Sequence, residues 1–179
     1  MQIFEKDVCV GEVIDNFLGE KEFSDIKSIL MSPEMGWFHQ SDVVSNTDKG
    51  ALDTYFIHTF FSNFYGWPRG VMSELYPLCA SLIEKLDVEV LIRLRANNYP
   101  HTPTKVQHGF HVDCNYPHEA AIFYVNTNNG LTILEGGQEI KSIENRVAIF
   151  DGKTKHCSTT CTDERARINI VVNYIRRTK

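Results

Sequence analysis

From Val88 to its end the chain breaks into short apolar runs that alternate, and this pattern constrains the fold more than any other feature. Val88, Val90, Ile92 and Leu94 recur at every second position, and side chains two apart in an extended chain share a face, so the segment reads as a strand. AAIFYVNT, LTIL, EIKSIE, RVAIFDG and ARINIVVNYI follow as further strands. Asn128-Asn129-Gly130, between the first two of these, is the strongest short hairpin signal, and Gly136-Gly137 marks the next turn. Ahead of residue 88 the spacing is helical. In DNFLGEKEFSDIKSILMS the apolar Phe23, Ile26, Ile29 and Leu30 recur three and four apart. From Arg69 to Leu86 a stripe of Met72, Leu75, Cys79, Leu82 and Leu86 predicts a second helix, kinked at Pro77. The expected fold class is α+β, with two helices packed over a sandwich or barrel of seven or eight short strands.

No repeat, low-complexity tract or linker rich in Gly, Pro or Ser divides the 179 residues. One domain over 1–179 is expected, helical over about 1–87 and β over about 88–176. Hydrophobic residues make up 42% and charged residues 23%, ordinary soluble values that argue against disorder. The opening MQIFEKDVCVGEVIDNF has acidic residues and no long apolar run, which fits neither a signal peptide nor a membrane span; a cytoplasmic location is the default expectation. A net charge of -5 argues against a protein that grips nucleic acid through its phosphates. Five cysteines, Cys9, Cys79, Cys114, Cys157 and Cys161, have no paired framework spacing and read as reduced thiols.

The chemistry concentrates in HGFHVDCNY, residues 108–116. With seven His and 23 acidic residues in the chain, His-x-acid is expected about once by chance, so the pattern alone means little. In a strand-like segment, however, His111 and Asp113 point the same way and can meet one ion. His156, after the strand and glycine turn of RVAIFDGKTKHCS, is the best candidate for a third ligand. Two His and a carboxylate form the facial triad that suits Fe(II) and leaves positions open. A surface or core-polar role for these residues is the competing reading. In RINIVVNY, Arg167 and Asn169 share one strand face, while Ile168, Ile170 and Val172 share the other. An arginine aimed into a cleft can hold a carboxylate with two parallel hydrogen bonds; the alternative is the wet side of an amphipathic strand.

The order His-x-Asp, His, Arg-x-Asn resembles the Fe(II)- and 2-oxoglutarate-dependent oxygenases, nearest to their prolyl-hydroxylase-like branch. VIDNFLGEKEFSDIKSIL resembles the opening strand and helix of that branch. NNYPHTPTKVQHGFHVD resembles its tyrosine-containing strand leading into His-x-Asp, and IFYVN and NRVAIFDGKTKHC resemble the later strands. The resemblance runs from about Val13 to Tyr174. It implies a double-stranded β-helix, or jelly roll, of about eight strands. It further implies that His111, Asp113 and His156 hold Fe(II), that 2-oxoglutarate chelates the metal, and that Arg167 neutralises its distal carboxylate with help from Tyr124, Tyr99 and Asn169. Such an enzyme uses O2, releases succinate and CO2, and hydroxylates a C–H bond of a peptidyl side chain, proline included, or of a small molecule. Two departures stand out: Asn129-Gly130-Leu131 replaces the Gly-Gly usual before the strand after the hairpin, and Asn173 stands where the nucleic-acid-demethylating branch has a second arginine.

Other readings stay open. The same scaffold could be a non-catalytic metal-binding module or a cupin-like metal isomerase, and Cys114 and Cys157, each following a proposed ligand, raise a zinc site. His101, His108 and His118 read as solvated loop residues. The aromatics from Trp37 to Trp67 read mostly as core under the helices, with part of the segment a candidate substrate lid.

Overall fold

The computed structural model describes residues 11–43, 54–64 and 68–178. Cys9, Tyr65 and Trp67 lie outside the described residues. In chain order the elements are β1 (Glu12–Ile14), α1 (Glu20–Leu30), β2 (Phe38–Gln40), β3 (Tyr55–Ser62), β4 (Gly70–Val71), a 3-10 turn (Tyr76–Cys79) running into α2 (Ala80–Lys85), β5 (Val88–Pro100), β6 (Glu119–Tyr124), β7 (Leu131–Leu134), β8 (Glu139–Lys141), β9 (Arg146–Asp151), β10 (His156–Ser158) and β11 (Ala166–Arg176). An eight-stranded sheet runs β1-β9-β6-β11-β5-β3-β2, with β4 also on β3, and a three-stranded sheet runs β10-β7-β8. These two sheets are the walls of the expected jelly roll.

Alternation along the central strands sorts the core into two layers. Phe123, Leu94, Ile168, Ile170 and Val172 face outward and pack with Ile26 and Leu30 of α1 and Leu82 and Leu86. Ala120, Ile122, Tyr124 and Val171 face inward and pack with Leu134 and Ile140 of the small sheet and Ala148 and Phe150 of β9. The helices therefore cover the outer face of the large sheet, and the space between the sheets is left for the site. Among the described residues no helix is long and apolar enough to cross a membrane.

Three expectations are corrected. The second helix does not span Arg69 to Leu86; β4 occupies its start, and helix begins only at the 3-10 turn. Pro77 sits in the first turn of that element, where its missing N–H does no harm, but it has no N–H to continue a helix begun upstream. The first 87 residues are mixed, since β1 to β4 all join the large sheet. Finally, β6 and β7 do not form a hairpin. β6 is bonded on both sides, to β11 and β9, and has no free edge for β7. Asn128 instead turns the chain from one sheet to the other: its Oδ1 accepts the Gly130 N–H at 2.9 Å and its Nδ2 donates to the Asn126 carbonyl at 3.1 Å. The true hairpin is β7–β8, whose turn uses Gly136 and Gly137 at φ 109° and 94°.

Candidate metal and cosubstrate site

His111 and His156 meet through the backbone. Each donates its N–H to the other's carbonyl, at 3.0 and 2.9 Å, in an isolated antiparallel bridge that leaves their rings 4.6 Å apart. His111 is thus not in a strand, and Asp113 lies in the following bend; a cross-chain bridge, rather than alternation along one strand, gathers the three residues. One ligand atom from each of His111, Asp113 and His156 lies within 4.8 Å of the other two. The Nδ1 atoms sit near their own chain's carbonyls, His111 at 3.3 Å from Gly109 and His156 at 3.2 Å from Thr154. A carbonyl only accepts, so Nδ1 carries a proton in each ring; in the neutral imidazole this leaves Nε2 as the nitrogen able to hold a metal.

Asp113 is fixed at both oxygens: Arg93 pairs with Oδ1 at 2.6 Å, and Asn173 Nδ2 donates to Oδ2 at 2.8 Å. Burial raises the carboxyl pKa, but Arg93, His156, Asn173 and His111 outweigh it and hold the group well below the usual carboxylate range. Burial also lowers the His156 pKa, against the opposing pull of Asp113, which keeps the imidazole neutral. His111 is the open side of the cluster, with 26% of its side chain exposed against 7% for Asp113.

Across the same cavity Arg167 is 0% exposed. Its Nε donates to Ser142 Oγ at 2.8 Å and its Nη2 to Thr132 Oγ1 at 2.9 Å, while the buried Nη1 has no partner. The Tyr124 hydroxyl donates to the same Thr132 oxygen at 2.9 Å, and the rings of Tyr99 and Tyr124 flank the guanidinium at 5.3 and 5.7 Å. Burial pushes both phenols above their ordinary pKa, so they stay protonated donors. Tyr99 is stacked between Tyr55 and His108, each 5.4 Å away. Asn169 lines the cavity, its Oδ1 accepting from Asn97 Nδ2 at 3.3 Å. Of the residues expected at the site, His111, Asp113, His156, Arg167, Tyr99 and Asn169 line this cavity, while Tyr124 lies behind it, joined through Thr132 and the Arg167 guanidinium.

Sequence reasoning found β5 but missed its inner face. Arg93, Arg95, Asn97 and Tyr99 alternate on its inner face, paired respectively with Asn173, Val171, Asn169 and Arg167 on β11. The guanidinium beside Asp113 comes from Arg93, on the strand next to Asn173. The alternation that marked Ile92 and Leu94 as core would have exposed these polar partners had the other face been read. His108 and His118 are also corrected: both are buried, at 1% and 7%, whereas His101 is exposed as expected. His108 shares a 2.8 Å hydrogen bond with Ser158 Oγ, and the His118 ring fills the space where Gly152 lacks a side chain, beside Cys114. Among the described residues no cysteine joins the metal-competent group, and Cys79, Cys114, Cys157 and Cys161 form no disulfide. The described part of the aromatic segment forms β2 and β3: Phe60, with Trp37 and Phe61 against it, packs in the core under the helices as expected, while Tyr55 stands on the cavity wall.

No protein-family model and no curated protein matches the sequence. Solved structures do. A 2OG-Fe(II) oxygenase family oxidoreductase from Burkholderia pseudomallei superposes with a TM-score of 0.70 at 11% identity, covering 94% of this chain and 86% of that one. A prolyl hydroxylase from Trichoplax adhaerens, in complex with a hypoxia inducible factor peptide fragment, gives 0.63 at 17% identity over 92% and 83%. The non-heme alpha ketoglutarate dependent carbocyclase SnoK of nogalamycin biosynthesis gives 0.64 at 11% over 94% and 80%. The fold is that of the 2OG-Fe(II) oxygenases, prolyl hydroxylases included.

Proposed function

We propose that this chain is an Fe(II)- and 2-oxoglutarate-dependent oxygenase that hydroxylates a C–H bond of a peptidyl side chain, with proline one option, or of a small molecule, releasing succinate and CO2. The observation that carries this reading is Arg167. A fully buried guanidinium with one nitrogen unpartnered, and no carboxylate against it among the described residues, is costly unless an anion arrives from outside the chain. It faces the cavity that His111, Asp113 and His156 also line.

His111, Asp113 and His156 fit Fe(II), being two imidazoles and one ionised carboxylate with an open side at His111. Bound there, the metal would supply the redox chemistry that couples O2 to oxidative decarboxylation of the 2-oxo acid. The chain's own work is positioning. Arg93 and Asn173 hold Asp113 in one orientation, and the Gly109 and Thr154 carbonyls hold the two imidazoles. Arg167, clamped by Ser142 and Thr132, takes the distal carboxylate of 2-oxoglutarate, with the Tyr124 and Tyr99 rings excluding water around it.

Anaerobic addition of Fe(II) and then 2-oxoglutarate should produce a weak visible charge-transfer band, and aerobic incubation should release succinate even without a matched substrate. Absence of both from metal-loaded, folded protein would favour a metal isomerase or a binding module.

A further inference from the structure

β5 carries another inward guanidinium that the cosubstrate site does not use. Arg95 lies cross-strand from Val171 of β11 and Thr59 of β3. Its guanidinium sits over the Tyr55 ring at 5.8 Å, and its buried Nε has no hydrogen-bond partner. Arg95 lines both the metal cavity and an adjoining pocket of about 190 Å³ whose other walls are Ile57, Thr59, Ser62, Phe64 and Arg93. Among the described residues lining these two spaces, three guanidinium groups face a single carboxylate, Asp113, which Arg93 already pairs. A divalent ion and a dicarboxylate cosubstrate bring equal and opposite charge. Loading the site with both therefore leaves an excess of two positive charges in place.

We propose that Arg95 and this pocket form the subsite for an anionic group, a carboxylate or phosphate, on the substrate to be oxidised. The word substrate rests on the oxygenase reading; the charge imbalance does not. The planar fork of a guanidinium matches either anion through two parallel hydrogen bonds. The Ile57 and Phe64 walls take the hydrocarbon that carries the anion. Arg95 and the partner of Arg167, Tyr99, are four residues apart on β5, roughly 13 Å along an extended strand, so the two arginines serve different anions.

The probes are benzoate, phenyl phosphate and neutral benzamide, titrated by ligand-observed NMR into the full chain, metal-free and then with Zn(II) and 2-oxoglutarate. At least one anion should bind tenfold or more tightly than benzamide, and 2-oxoglutarate should leave it in place; the stronger of the two identifies the anion class. Arg95→Gln should abolish the preference. Thr59→Glu, which sets a carboxylate on the position paired with Arg95, should abolish it too while keeping the guanidinium, and Arg167→Ala should not. Equal binding of benzamide, displacement of the anion by 2-oxoglutarate, or unchanged anion binding in Arg95→Gln overturns the proposal. If benzoate is held through Arg95 but 2-oxoglutarate does not bind at all, the oxygenase reading falls and the anion pocket stands.

Discussion

Replacing Gly130 by alanine adds one methyl group where Arg167 has no room to give. A Cβ there would lie 2.5 Å from Arg167 Cδ, 2.8 Å from Asn128 Oδ1 and 3.1 Å from Arg167 Nε. A surface arginine would swing aside, but this one is buried and tied at Nε and Nη2 to Ser142 and Thr132. The Asn128 oxygen is equally committed, accepting the Gly130 N–H. The guanidinium must leave its plane. A hydrogen bond to a charged group contributes about 1.5–3 kcal/mol, so spoiling one of the two parallel contacts to a carboxylate should weaken 2-oxoglutarate binding by about 10- to 150-fold. Overpacking should cost a further ~1–3 kcal/mol of stability, a Tm lower by about 2–12 °C for a chain of this size. Metal affinity, which resides in His111, Asp113 and His156, should change by less than about twofold. Calorimetric titration of 2-oxoglutarate into Zn(II)-loaded wild type and Gly130→Ala, with Tm measured alongside, checks all three. A folded variant that binds 2-oxoglutarate as tightly as wild type would refute the assignment of Arg167 to the distal carboxylate.

Three further outcomes are expected. Arg167→Ala should raise the 2-oxoglutarate requirement for succinate release far more than the Fe(II) requirement; equal losses in both would assign the residue a folding role. Burial depresses the His156 pKa, so the unfolded chain takes up a proton below the ordinary value of 6.5 that the folded chain resists. Metal-free stability should therefore fall as pH drops below about 6.5, by at most about 1.4 kcal/mol per pH unit from this group, and His156→Asn should flatten the Tm profile between pH 7.5 and 5. Asn145 receives the Leu18 N–H at 2.8 Å and donates to the Leu18 carbonyl at 3.0 Å, both buried, from a left-handed backbone at φ 55°. Asn145→Ala leaves both Leu18 groups unsatisfied and should cost about 2–4 kcal/mol, read as a lower urea midpoint with faster amide exchange at Leu18.

What the sequence disclosed follows from which forces are local. β11 was legible because its outward Ile168, Ile170 and Val172 and inward Arg167 and Asn169 obey a period that any extended segment must obey. α1 was legible from Ile26 and Leu30, which are its two fully covered side chains. The Asn128–Gly130 turn misled because turn chemistry bends a chain without specifying which sheet receives it; the saturated edges of β6 make that choice. The His111–His156 bridge spans 45 residues of sequence, and no local pattern encodes it. Arg93 and Arg95 were hidden for another reason. Cation side chains in a strand ordinarily mark a solvated face, and only the closure of the second sheet turns that face into an interior.

β5 is bonded along its length to β11 on one side and from Arg93 to Asn98 to β3 on the other, with Arg93, Arg95, Asn97 and Tyr99 spaced two apart on its inner face. Parity is therefore the currency of this strand. Deleting or inserting one residue within it would rotate Leu94 and Ala96 into the cavity and drive both arginines beneath the helices, so metal holder, anion pocket and cosubstrate wall would fail together. Side chains at alternate positions of this strand can be exchanged, and with them what the cavity binds, without disturbing the sheet, whereas a change in the number of residues between them cannot leave the same face inward.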